Sequence, residues 1–565
     1  MGERFENFCD GFHRHFSRDA NDRVVKGIGE RLGELPDPSP AEAAARVKEA
    51  SDLLAAADTI TAGSFDESLD LDLARLSLKA EIHRDTYTFN GRTTAAQMPR
   101  AGDDIGDGIF LLLINDPRPD GDRLADITAR IEAIPEHLEA MFARLDTPVA
   151  RWVAMDIDKI GGLPELFDTI GEWANATAWP DAGRLASAQA RAREAMTTYV
   201  RRLEGLASTT ELFVGPDTAQ RIVELRGIDR PLDALHRMAA DFLRDTGAII
   251  EELRGRLAKK YGLAADASVA EVHQHLNRRF RIDLPDGHLD DILERYEVER
   301  ARILAYIRER DLFPIPEDQD IRILRTPAFM APSIPAGAMM PPPAFRPGIR
   351  QSLVYLTLSE ELIDEHTEIS IPSMMIHEGI PGHHLQLSTA SMHPSVIRRH
   401  VHANEHAEGW TTMLEDYMLD LGYMGELSDE ARFSTKRDLS RIGARVAIDL
   451  FFMTGDRSYL EVGVDCDLSP ADPFVAAGNL LQKVTGFVPG RVEAELNWYS
   501  QERGYPLSYL TGNRMVWELK AEVAKKQAGR LEGLDLDRAF HRLYLESGNM
   551  PLRFLRRVFA EANLI

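Results

Sequence analysis

The chain runs to 565 residues, 44% of them hydrophobic and 28% charged, with a formal net charge of −25. This is the composition of a soluble globular protein, long enough to fold as two lobes around one cleft. The acidic balance argues against a nucleic-acid partner, which needs clustered Lys and Arg, and the two cysteines, Cys9 and Cys466, imply no disulfide framework.

The N-terminal stretch lacks the apolar run of a signal peptide, and no window approaches ~20 uncharged apolar residues. The expectation is a cytoplasmic protein with no membrane partner. Along residues 1–320 the apolar residues recur at helical spacing, as in 41–57, 185–206 and 232–257, which predicts a helical N-terminal lobe capping the cleft. Nothing there clusters metal ligands, and His13 and His15, set among Arg and Asp, read as surface residues.

The second half, 321–565, changes character. Residues 327–348 hold seven prolines among Met, Ala and Phe, so they form neither a helix nor a central strand. They read as a linker or, given their apolar content, as a packed wall of the cleft. Strands are expected at 321–324 and 352–358. The second carries Tyr355 and reads either as an edge strand that pairs with an extended substrate or as an ordinary half-buried strand.

His377, Glu378, His383 and His384 then fall within eight residues. A hydrolytic zinc takes imidazole and carboxylate ligands, keeps a position open for water, and works beside a Glu that acts as base. In the short form HExxH, two histidines four apart share one helix face. Here His377 and His383 are six apart, about 120° around an ideal helix and ~9 Å along it, and cannot share an ion unless the helix is broken. Gly379, Pro381 and Gly382 are the residues to break it.

A helix is predicted over 404–421, with Asn404 as its cap, Gly422 as its end, and Glu408 and Glu415 on one face. One of these carboxylates can bind metal while the other holds a histidine from behind. His402 and His406, four apart, are rival ligands. Arg437, Arg441 and Arg445 recur every four residues, with Asp449 continuing the stripe. Such a stripe reads either as ion pairing with acidic helices or as guanidinium forks for a peptide carboxylate or oxyanion. Tyr509 reads as an oxyanion donor or a core tyrosine.

These residues resemble the DUF885 family of bacterial proteins of unknown function, whose signature is similar to HExxPGHxxQ. The match comprises Ile376, His377, Glu378, Pro381, Gly382, His383 and Gln386, followed by Glu408-Gly409-Trp410 with Glu415, then Arg441, Arg445 and Asp449, then Tyr509 and Gly512, and near the end Phe540-His541 and Pro551-Leu552. Met413, Met453 and the segment around Tyr505 depart from the pattern. Many members are exported lipoproteins, another departure. The resemblance implies a zincin-like relative of helical carboxypeptidases and oligopeptidases, and it favours His383 over His384 as a ligand.

The combined expectation is a mainly α, two-lobed protein with a small sheet beside the metal helix. His377, His383 and Glu408 bind zinc, and Glu378 is the base with Tyr509 assisting. Arg441, Arg445 and Tyr355 contact substrate, and Glu415, Gln386 and His384 support the ligands from behind. The expected activity is that of a metallopeptidase on short peptides. The alternatives are a hydrolase of another small amide or ester, or a binding protein without catalysis.

Overall fold

In the computed structural model the described residues are 2–284, 287–326, 337–358, 363 and 366–565. The fold is mainly helical, 68% helix and 5% strand. No helix among the described residues is long and apolar enough to cross a membrane. The chain divides into two compact units. The first contains the residues up to Val214 together with Pro343–Pro347 and Ser395–His400, and the second contains the rest. Residues 215–320, expected in the N-terminal lobe, therefore belong with the unit that carries the histidine motif.

The first unit is an assembly of amphipathic helices. Asp120–Arg144 turns Leu124, Ile127, Ile131, Ile134 and Leu138 inward at spacings of three and four, and it packs against Ala182–Glu204 and Ala101–Ile114. Each fully buried aliphatic side chain contributes about 1.5–3 kcal/mol. The same helix buries Arg130, whose guanidinium donates to Leu32 O at 2.6 Å, Asn21 Oδ1 at 2.7 Å and Ala20 O at 3.1 Å. His15 is buried, not exposed as its charged neighbours suggested; it lies between Glu49 and Glu81, which compensate for its loss of water.

The second unit is organised by Leu232–Tyr261 lying along Ser428–Thr454. Gly443 permits the close approach, because a Cβ there would come within 2.7 Å of Leu243 Cγ. Among the described residues its sheet has three strands, Gln319–Arg325, Arg350–Leu356 and Gly337–Met340. Arg350–Leu356 is central, parallel to the first strand with Ile321 opposite Ser352 and antiparallel to the third with Met339 opposite Val354. The strand expected as a substrate-pairing edge therefore has its backbone groups used on both sides. Tyr355 lies within it, only 1% exposed, which does not suit the substrate contact expected of it. Part of the proline-rich stretch forms the edge strand Gly337–Met340; residues 327–336 lie outside those described.

Candidate functional site

The motif begins on Ile371–Glu378, which ends at Gly379, and resumes as a second helix, His383–Ser391. Between them the chain folds back on itself through a cis Ile380–Pro381 bond. Gly382 is needed in this turn: a Cβ there would stand 1.9 Å from the His377 carbonyl oxygen. Trp410 Nε1 donates to Pro381 O at 2.9 Å and ties the turn to the neighbouring helix, Asn404–Asp420. The insert thus breaks the helix outright, and the rings of His377 and His383 come to lie 4.9 Å apart, edge to face.

His377, Glu378 and His383 each offer a ligand atom within 4.8 Å of the others. Glu408, from Asn404–Asp420, approaches both histidines. Its Oε2 lies 3.3 Å from His383 Nε2 and 3.7 Å from His377 Nε2. Neither contact has hydrogen-bond geometry, so this buried oxygen has no such partner among the described residues. Donor atoms bound tetrahedrally to zinc at about 2.0–2.1 Å stand about 3.3 Å from one another, and the two approaches of Glu408 Oε2 to the imidazoles are close to that spacing. His377 and His383 are each 8% exposed and Glu408 6%.

The supports are carboxylate and phenol. Glu415 Oε1 accepts from His377 Nδ1 at 2.8 Å, and its other oxygen accepts from Ser373 Oγ at 2.9 Å. Tyr505 OH donates to Glu408 Oε1 at 3.1 Å, leaving Oε2 to face the histidines. Burial works against protonation of His377, but the neighbouring carboxylates of Glu408, Glu415 and Glu378 outweigh it, raising the imidazole to about 10. Burial likewise opposes ionisation of Glu408, yet His383 and His377 hold its carboxyl well below the ordinary range.

Two glycines set how near Glu408 comes to the tyrosines. Asn404–Asp420 crosses Ser508–Gln527 where Gly409 faces Gly512; a Cβ on Gly409 would lie 2.4 Å from the Gly512 carbonyl carbon. Tyr505 and Tyr509 stand on and beside the start of Ser508–Gln527, rings 5.9 Å apart and half-buried. Asp449 fixes their loop by accepting from the Gly504 amide at 3.0 Å and the Leu507 amide at 3.1 Å. Burial raises its carboxyl to about 7.

Other candidates are placed elsewhere. Arg445 is buried, donating to Tyr499 OH at 2.8 Å and Glu495 Oε2 at 2.9 Å, and its guanidinium lies 4.4 Å over the Tyr509 ring. It braces Tyr509, and its Nε and Nη2 donors are engaged by Tyr499 and Glu495. Arg441 is half-buried and donates to Asp438 O at 3.2 Å. His384 bonds Ser352 Oγ at 2.7 Å and also Gln319 Oε1, so it pins its helix to the sheet and supports no ligand. His406 bonds Met550 O at 2.9 Å and packs 4.3 Å from the Tyr544 ring, while the His402 side chain, exposed at the surface, still feels the charges of Glu408 and His383. Asn404 is the first helical residue and no cap; the preceding Ala403 amide donates to Asn549 Oδ1 at 2.6 Å.

Tyr505, Glu495 and Ser373 were not read as site residues from the sequence. The signal for Tyr505 was its spacing of four from Tyr509, obscured because that segment departs from the pattern the rest resembles.

The comparisons agree with this picture at the level of fold. The chain is similar over 98% of its length to a candidate lipoprotein of unknown function from Shewanella oneidensis, with 99% of that chain covered, 16% identity and a TM-score of 0.76. It is similar over 99% to a candidate lipoprotein from Colwellia psychrerythraea, again with 99% of that chain covered, at 14% identity and a TM-score of 0.81. No curated protein matches. A family model described as "Bacterial protein of unknown function (DUF885)" matches residues 24–559, and the chain belongs to that family.

Proposed function

We propose that this protein is a zinc-dependent hydrolase of zincin-like, two-lobed architecture, acting as a metallopeptidase on short peptides. The observation that carries the reading is the approach of two imidazole Nε2 atoms to one buried, otherwise unpartnered Glu408 oxygen, at 3.3 and 3.7 Å. Histidine and carboxylate donors with one more position for water are the ligand set of hydrolytic zinc.

His377, His383 and Glu408 would hold the ion. Zinc bound there supplies Lewis acidity and lowers the pKa of water toward about 7. Glu378 accepts the proton of the attacking water and returns it to the leaving nitrogen, so the base is regenerated within one turnover. The Tyr509 hydroxyl serves as donor to the oxygen of the carbonyl under attack, while the Tyr505 hydroxyl is spent on Glu408 Oε1 and holds that carboxylate in place. Glu415 keeps the His377 ring turned so that Nε2 faces the site.

The test is hydrolysis of a panel of short peptides by wild type and by Glu378→Gln. The reading expects cleavage by wild type and loss of at least about 10²-fold in the variant, with zinc still bound. Turnover of small amides or esters without peptide cleavage would move the substrate class to the runner-up. Equal rates in both proteins would remove Glu378 from the mechanism.

A further inference from the structure

The two histidines are supported unequally. His377 has Glu415 behind it at 2.8 Å, whereas His383 Nδ1 is buried with no hydrogen-bond partner among the described residues. A ligating imidazole almost always donates its second N–H to a carboxylate, a carbonyl or a water, and this fixes which nitrogen faces the metal. Three residues on, Gln386 is fully buried, and neither its Oε1 nor its Nε2 has a partner among the described residues. Burying an unpaired amide costs about 1–3 kcal/mol on the scale of protein mutations, so a site that keeps one has a use for it.

The helix relates these two orphaned groups. His383 and Gln386 both lie on His383–Ser391, about 60° apart around the axis and about 4.5 Å apart along it. Helical side chains lean toward the N-terminus over the residue three or four before them, which directs Gln386 onto His383. His384, the other imidazole at this turn, is already engaged by Ser352 and Gln319.

We propose that the Gln386 carboxamide oxygen accepts the Nδ1 proton of His383 through one bridging water, and so holds the tautomer that presents Nε2 to the metal. Gln386 is thereby a positioning residue. The proposal rests on the zinc reading and adds an asymmetry to it. His377 is backed by a charged acceptor that raises its basicity, and His383 by a neutral one.

The experiment is zinc affinity of the full chain, by competition with a chromophoric chelator, for wild type, Gln386→Leu and Gln386→Glu, with apo thermal melts alongside. Gln386→Leu removes the acceptor and also the unpaired amide, so zinc affinity is expected to fall about 10–100-fold while the apo Tm holds or rises. Gln386→Glu supplies a carboxylate to the same proton and is expected to bind zinc at least as tightly as wild type. The proposal is overturned if Gln386→Leu binds zinc within about twofold of wild type. Should that variant not fold, a Gln386→Glu protein that folds and binds zinc 10-fold more weakly overturns it instead. A wild type that binds no zinc would sink the metal reading itself, whereas wild-type binding with an indifferent Gln386→Leu removes only this inference.

Discussion

Glu415 Oε1 lies 2.8 Å from His377 Nδ1 and thereby settles which nitrogen of that ring faces Glu408. Without Glu415 the imidazole would be free to turn, and Ser373 would lose its acceptor as well. Glu415→Gln keeps the volume but weakens the acceptor. The expected result is about 10–100-fold weaker zinc binding in the chelator competition, with the apo fold retained.

The tyrosines divide their roles by what they touch. Tyr505 holds Glu408 Oε1 at 3.1 Å, so Tyr505→Phe frees Glu408 to rotate and is expected to weaken both metal binding and turnover. Tyr509 is braced by Arg445 from behind, and Tyr509→Phe is expected to lower kcat by about 10²-fold with zinc affinity unchanged. Steady-state kinetics beside the chelator titration separates the two outcomes. Identical effects in both variants would remove the distinction.

The crossing of Gly409 and Gly512 leaves no room for a methyl group. A Cβ on Gly512 would sit 2.0 Å from the Glu405 carbonyl oxygen, and backbone on both helices cannot yield as a side chain does. Gly409→Ala and Gly512→Ala are each expected to cost about 3 kcal/mol or more, seen as a lower midpoint in urea unfolding. A Gly512→Ala protein as stable as wild type would show that the helices are farther apart than described.

Much of this was legible in the sequence, for reasons that differ by residue. The helices followed from apolar spacing, so residues 232–257 were found almost to their ends. The division between units was not, because helices 215–310 read like those before them and only their packing, on Ser428–Thr454, on Ile371–Glu378 and on the strand Gln319–Arg325, assigns them. His377, Glu378, His383, Glu408 and Glu415 stood out by residue type and order, but the turn that joins the histidines depends on close backbone approach at Gly382. Arg445 misled because a buried arginine and a substrate-binding one look alike until the partner, Glu495, is in view. Tyr355 misled because strand periodicity does not distinguish a central strand from an edge.

Asp156 gives a pH dependence that does not involve the histidine motif. It is 2% exposed, accepts from Gly102 N and Tyr199 OH, and burial raises its carboxyl from 3.8 to about 6. Folding therefore favours its protonated form. The stability from this group is fully present below about pH 4 and is lost as pH rises through about 6, by up to about 3 kcal/mol. Asp156→Asn carries no such charge, so its stability relative to wild type is expected to increase from pH 4 to pH 8 in urea titrations. A constant difference across that range would contradict the account.

Zinc stoichiometry is the most direct test of the central claim. Elemental analysis of protein purified without chelators, for wild type beside Glu408→Ala and His383→Ala, asks whether these groups share one ion. About one zinc per chain is expected in wild type, close to none in either variant, and unchanged helical content in all three. Full zinc occupancy in Glu408→Ala, or a wild type that takes up no zinc when it is supplied, would contradict the claim.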